Sequence, residues 1–200
     1  MGGLGGNVNN ATFTNGTTVA ISALEAEGVS VIISWGGANG SIQSSCTTAS
    51  QVQAMYQSVF NTYPRIIGQD FDIEGGISNS VVAQALAGLK AANPGKLISL
   101  TLPVLPTGLV SAGINILDAC ASAGFNPDVV NVMAMDYGSA NDNRAQMGLD
   151  ATDAASATET QIHQAGLSSS VGVTPMIGVN DTNGDLPALR CQYASELCQI

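Results

Sequence analysis

Five short apolar runs, at 29–34, 66–74, 97–102, 128–135 and 171–177, recur roughly 30 to 40 residues apart with helix-patterned segments between them, and this alternation constrains the fold more than any other feature. Residues 17–28 put Val19, Ile21 and Leu24 on one helical face. Further helices are expected at about 47–62, 79–92, 109–123 and 151–165, the second of these halted by Asn93-Pro94-Gly95. Strands joined through helices return in the same direction, so the chain predicts an α/β fold with a parallel sheet and right-handed crossovers. Residues 1–16, rich in Gly and Asn, read as a loop, and the tail from Asp185 as a last helix after Pro187. Two hundred residues suit one domain, 1–200.

Polar residues gather just after each run: at 35–39, 70–74, 103–107, at Asp136 and Tyr137, and at Asn180 and Asp181. In parallel α/β folds the C-terminal ends of the strands form the active face, so five strands aim polar groups at one place. The densest stretch is IIGQDFDIEGG, where Asp70, Asp72 and Glu74 alternate with Phe71 and Ile73. On a strand, that period of two sends the three carboxylates to one face and the apolar pair to the other. Carboxylates so close in an apolar context cannot all ionise cheaply, so at least one is expected to hold its proton toward neutral pH. Glu74, nearest the strand end, is the candidate general acid. Two other readings fit the alternation: an amphipathic strand with its acids in water, and a divalent-metal cluster, which no nearby His supports. No metal and no cofactor is expected.

Five Lys and Arg stand against fifteen Asp and Glu, for a net charge of −10, so the chain lacks a basic surface to neutralise phosphates. Nucleic acid and anionic membrane are thereby poor partners. With only 10% charged residues, the polar surface is mostly uncharged and suits a hydrogen-bonding ligand such as a sugar. No apolar run approaches the ~20 residues of a membrane span. The first residues lack the basic start and apolar core of a signal peptide, so any export signal is expected outside this chain. The even number of cysteines, Cys46, Cys120, Cys191 and Cys198, without CxxC spacing, favours disulfides in a secreted protein. On a helical tail Cys191 and Cys198 would lie about 10 Å apart, too far to bond each other.

Taken together, these motifs resemble the family 18 glycoside hydrolases, the chitinases, whose eight-stranded (β/α) barrels carry Asp-x-Asp-x-Glu on strand four, here Asp70, Asp72 and Glu74. Ser34-Trp35-Gly36-Gly37 is similar to the Ser-x-Gly-Gly ending of strand three, and Met133-Ala134-Met135-Asp136-Tyr137 to the Met-x-Tyr-Asp ending of strand six. Stretches 101–108 and 174–181 look like strands five and seven. The resemblance spans about residues 18 to 182. It implies a parallel (β/α) barrel of the TIM type, incomplete, with strands three to seven of eight.

The resemblance also implies a substrate, chitin or chitooligosaccharide, and a secreted protein. Glu74 would protonate the glycosidic oxygen while Asp72 holds the substrate's own 2-acetamido group against the anomeric carbon, giving retention without a covalent enzyme intermediate. Asp70 would share a proton with Asp72, and Asp136 would assist the acetamido group. Where the family has Tyr before that Asp, this chain has Met135; Tyr137 replaces it only if the strand is twisted or bulged there. Gly37 belongs to the strand-three motif. Trp35 either stacks on sugar or fills the barrel, and Asn180 and Asp181 either bind substrate or cap a turn.

Two further departures are clear. Ile67 stands where the fuller pattern has another Asp. Strands one, two and eight have no counterpart, so the runs at 29–34 and 171–177 should form open sheet edges through which the chain could self-associate. A non-catalytic sugar-binding remnant is the alternative reading.

Overall fold

The computed structural model describes residues 15–43, 45–138, 146–182 and 185–186. The elements in chain order are α1 (Asn15–Ala26), β1 (Ile32–Gly36), α2 (Ala49–Thr62), β2 (Gly68–Asp72), α3 (Asn79–Ala92), β3 (Leu97–Leu105), β4 (Gly108–Leu109), α4 (Ser111–Ser122), β5 (Val129–Ala134), α5 (Met147–Gln164), β6 (Ser170–Pro175), β7 (Gly178–Val179) and β8 (Asp185–Leu186). The sheet runs β1-β2-β3-β5-β6 with every neighbouring pair parallel, as the alternation predicts. Among the described residues β1 and β6 are its terminal strands.

Several boundaries differ from expectation. Asn15 and Gly16 belong to α1 and not to a leading loop. Strand β1 starts at Ile32, past an exposed Val29. Strand β2 keeps only five residues of the run at 66–74, which leaves Glu74 just beyond its end. Of the three apolar residues expected inward on α1, Ile21 alone is buried; Val19 and Leu24 are exposed. Ile21 lines the same cavity as Val31, Ile32 and Ile33, and β1 has no strand neighbour other than β2 among the described residues. Strand β4, which turns back antiparallel on β3, was not legible because it depends on Gly108 at φ 109°. The tail helix, Cys191 and Cys198 lie outside the described residues. Cys46 and Cys120 are both free thiols.

Side-chain alternation divides the sheet into two unlike faces. On one, Ile33, Trp35, Phe71, Leu100, Val130 and Val132 are buried in the core shared with the helices. Helix α2 meets this face with Val52, Met55, Tyr56, Val59 and Phe60, at the spacing of a helical stripe. A capping box at Thr48 and Gln51 starts that helix. Helix α5 instead presents Ala151, Ala154 and Ala155, small side chains that let it approach closely. On the other face the parallel register lines up rows across the strands: Ser34, Asp70, Ser99 and Val129 in one, Gly36, Asp72, Thr101, Asn131 and Gly172 in the next. This second face is open.

One polar residue interrupts the apolar layer. Gln69, fully buried, accepts from Trp35 Nε1 at 2.7 Å and donates to the Tyr56 carbonyl at 3.0 Å, tying β1 and α2 to β2. Gln69→Leu strands a buried indole N–H and takes one donor from the helical Tyr56 carbonyl, so a loss of about 1–3 kcal/mol in unfolding free energy is expected. Urea denaturation measures it; a change within ~0.5 kcal/mol would show that the amide is dispensable to the core.

Candidate active site

The open face and the C-terminal strand ends bound a cleft of about 1110 Å³, whose walls include Ser34, Asp70, Asp72, Glu74, Thr101 and Asn131. Among its lining residues the only ionisable ones are Asp70, Asp72 and Glu74. A smaller pocket of about 230 Å³ reaches Asp72 and Glu74 from the side of the loop at 37–42. Strand alternation thus delivers the acid ladder to one space, with Glu74 exposed at its mouth and Asp70 and Asp72 half-buried.

The three carboxyl groups are treated unequally by their neighbours. Asp70 accepts from three hydroxyls: Ser34 at 2.8 Å, Ser99 at 2.6 Å, and Thr101 at 2.9 and 3.0 Å to its two oxygens. Asp72 has no such support, and its buried Oδ1 has no hydrogen-bond partner. Burial first, then the charges of Glu74 and Asp70, push the Asp72 carboxyl up from 3.8 to about 6. The elevation expected for the ladder therefore falls on Asp72. Among the described residues no hydrogen bond joins Asp70 to Asp72; the partners of both Asp70 oxygens are these hydroxyls.

Ser99, Asn131 and Thr174 were missed by sequence reasoning as parts of the site. Single hydroxyls and amides in strands carry no pattern of their own, and only the register shows which of them meet.

Other candidates are placed differently. Met135 and Gly37 line the cleft. The Gly37 N–H donates to the Asp72 carbonyl at 3.2 Å. Trp35 does not reach the cleft: since Ser34 faces the open side, alternation turns Trp35 to the helices, where it is 5% exposed and tilts against Tyr56 at 5.2 Å between ring centroids. It fills the core. Asp136, two residues past the end of β5, has φ 49°, and its carboxylate accepts from the backbone and hydroxyl of Thr182 at 3.1 and 3.3 Å. Buried Asn180 accepts from the Asp136 N–H at 3.0 Å and donates to the Met176 and Gly178 carbonyls, so it caps the turn after β6. Asp181 is exposed beside it, away from the cleft wall. Tyr137 is buried and does not line the cleft, so it does not fill the place of the missing Tyr.

A parallel β/α sheet whose strand ends gather Asp-x-Asp-x-Glu in one cleft defines a glycoside-hydrolase type of domain. Comparison with known proteins narrows the class. The chain is 35% identical to Endochitinase 11 of Metarhizium anisopliae, over 83% of this chain and 36% of that protein. It is 34% identical to a probable bifunctional chitinase/lysozyme of Escherichia coli, over 83% of this chain and 21% of that one. The fold matches active domain 2 of a thermostable chitinase from Pyrococcus furiosus, solved as catalytic-site mutants with chito-oligosaccharides, at a TM-score of 0.78 and 30% identity, covering 89% of this chain and 60% of that one. No protein-family model matches the chain. The chain belongs to the family 18 glycoside hydrolases, the chitinases. It spans about a third or less of the two curated relatives.

The raised Asp72 pKa links the site to stability. Between about 4 and 6 the folded state holds a proton that the unfolded chain releases, so this contribution is fully present below about 4 and is lost as pH rises through about 6. Asp72→Asn should therefore stabilise the protein relative to the unsubstituted chain more at pH 8 than at pH 4. Urea denaturation at both pH values checks this, and an equal difference at the two would refute the raised value.

Proposed function

We propose that this chain hydrolyses β-1,4 linkages between N-acetylglucosamine units of chitin or chitooligosaccharides, with retention and with the substrate's acetamido group as nucleophile. The observation that carries this reading is the convergence of Asp70, Asp72 and Glu74 on one cleft, with Asp72 the carboxyl left unsatisfied.

In this reading Glu74, at the mouth, gives a proton to the glycosidic oxygen as the bond to the anomeric carbon breaks. The acetamido oxygen attacks that carbon from the opposite face, forming a cyclic oxazolinium. Asp72, which lines the cleft, takes a hydrogen bond from the acetamido N–H and steadies its positive charge. Water then adds where the leaving group departed, passing a proton back to Glu74, and the configuration is retained. Asp136 enters this scheme only if its carboxylate leaves Thr182. On the same reading the protein acts outside the cell, where its polymer substrate lies.

A second reading, a sugar-binding remnant without turnover, is favoured by the placement of Asp136, Tyr137 and Asn180 off the cleft wall. One experiment separates the two. Incubated with chitin oligomers, the chain should yield shorter products, and Glu74→Gln should lower the rate roughly 10²- to 10⁴-fold while binding persists. Binding without products from the unsubstituted chain would select the remnant; more than a tenth of the original rate in the variant would remove Glu74 from the role of acid. Substrate assistance adds its own expectation: acetylated oligomers are cut, whereas fully deacetylated and cellulose oligomers are not. Equal cleavage of cellulose oligomers, read by product chromatography, would rule it out.

A further inference from the structure

Asn131 lies on β5 with its amide between two hydroxyls of neighbouring strands. Its Nδ2 donates to Thr101 Oγ1 at 3.1 Å and to Thr174 Oγ1 at 2.8 Å, and the Thr174 hydroxyl lies 3.1 Å from its Oδ1 as a donor. Thr101 has a single hydroxyl proton, and that proton is directed at Asp70. A hydroxyl that accepts from an amide N–H cannot turn its proton toward that amide, and the acceptors within reach on its other side are the Asp70 oxygens, so the Asn131 contact favours the Thr101 proton on Asp70.

An independent feature accommodates the amide. Gly172 is the register partner of Asn131, and a Cβ there would stand 3.0 Å from Asn131 Oδ1 and 3.1 Å from Val129 Cγ1. The glycine leaves the space that the Asn131 amide occupies.

We propose that Asn131 is a positioning residue of the acid cluster: by donating to Thr101 it commits the Thr101 proton to Asp70, and so fixes the Asp70 carboxylate as the neighbour against which Asp72 works. Its kinetic consequence rests on the hydrolytic reading above. The ordinary alternative is a cross-strand polar ladder that only adds stability. The other ionisable groups facing Asp72 across the cleft are Asp70 and Glu74, so a change in its titration reports on them.

The test compares Asn131→Leu in two backgrounds, the unsubstituted chain and Asp70→Asn. With Asp70 present, kcat on a chitin oligomer should fall about tenfold or more with little change in KM. With Asp70→Asn, where there is no carboxylate to hold, the further loss should stay within roughly twofold. The Asp72 carboxyl, followed by NMR titration without substrate, should shift its midpoint on Asn131→Leu in the first background and not in the second. That arm needs no turnover, so it stands even if hydrolysis is not found. Thr101→Val should reproduce the effect, Thr101→Ser should restore it, and Gly172→Ala, which keeps every polar group but crowds the amide, should move both readouts in the same direction; these variants decide the matter if Asn131→Leu does not fold. Equal losses in the two backgrounds, or an Asp72 midpoint unmoved by any of these substitutions, would overturn the proposal.

Discussion

Register is the constraint from which the rest of this structure follows. Parallel strands present alternate side chains to opposite faces, so a slip of one residue in β2 would send Asp70 and Asp72 into the helix layer and bring Gln69 and Phe71 out. Close backbone contacts hold the register. A Cβ on Gly36, itself at φ 89°, would fall within 2.1 Å of the Asp72 carbonyl, and one on Gly68 within 2.4 Å of the Leu97 carbonyl. Strands β1, β2 and β3 therefore approach where only glycine fits.

Given that register, the electrostatics of the site have a simple origin. Asp70 stands in a row with Ser34 and Ser99, and Thr101 reaches it from the next, so its charge is met by hydroxyl donors. Asp72, one step nearer the cleft mouth, is flanked in its row by Gly36 and by a Thr101 whose proton is already directed to Asp70. It bears the burial and the repulsion of its neighbours without compensation. An unsatisfied carboxyl is costly to a folded protein, and it is useful where a substrate group can supply the missing hydrogen bond. The same asymmetry links the fold to the proposed chemistry.

Beyond the strands, the loops that close the C-terminal end are tied to one another. Asp136, Asn180 and Thr182 join the end of β5 to the turn after β6 by hydrogen bonds of 3.0 to 3.3 Å. Residues singled out by resemblance thus hold loops together in this structure, and Met135 rather than Tyr137 presents itself to the cleft.

Much of this was legible in the sequence, because local periodicity reports which face of a strand or helix is dry. The five parallel strands, the helices between them and the shared face of Asp70, Asp72 and Glu74 follow from spacing alone, whereas Gly37, just past β1, was singled out by the resemblance. What spacing does not contain is which side chains from distant segments meet. The burial of Trp35 behind the sheet, the hydroxyls gathered on Asp70 and the amide of Asn131 between two threonines depend on contacts between residues 29 to 43 positions apart. The acids and their common face were determined by the sequence. Which acid is satisfied and which is left strained was decided only by tertiary structure, since a hydrogen bond across strands exists only once the strands are in register.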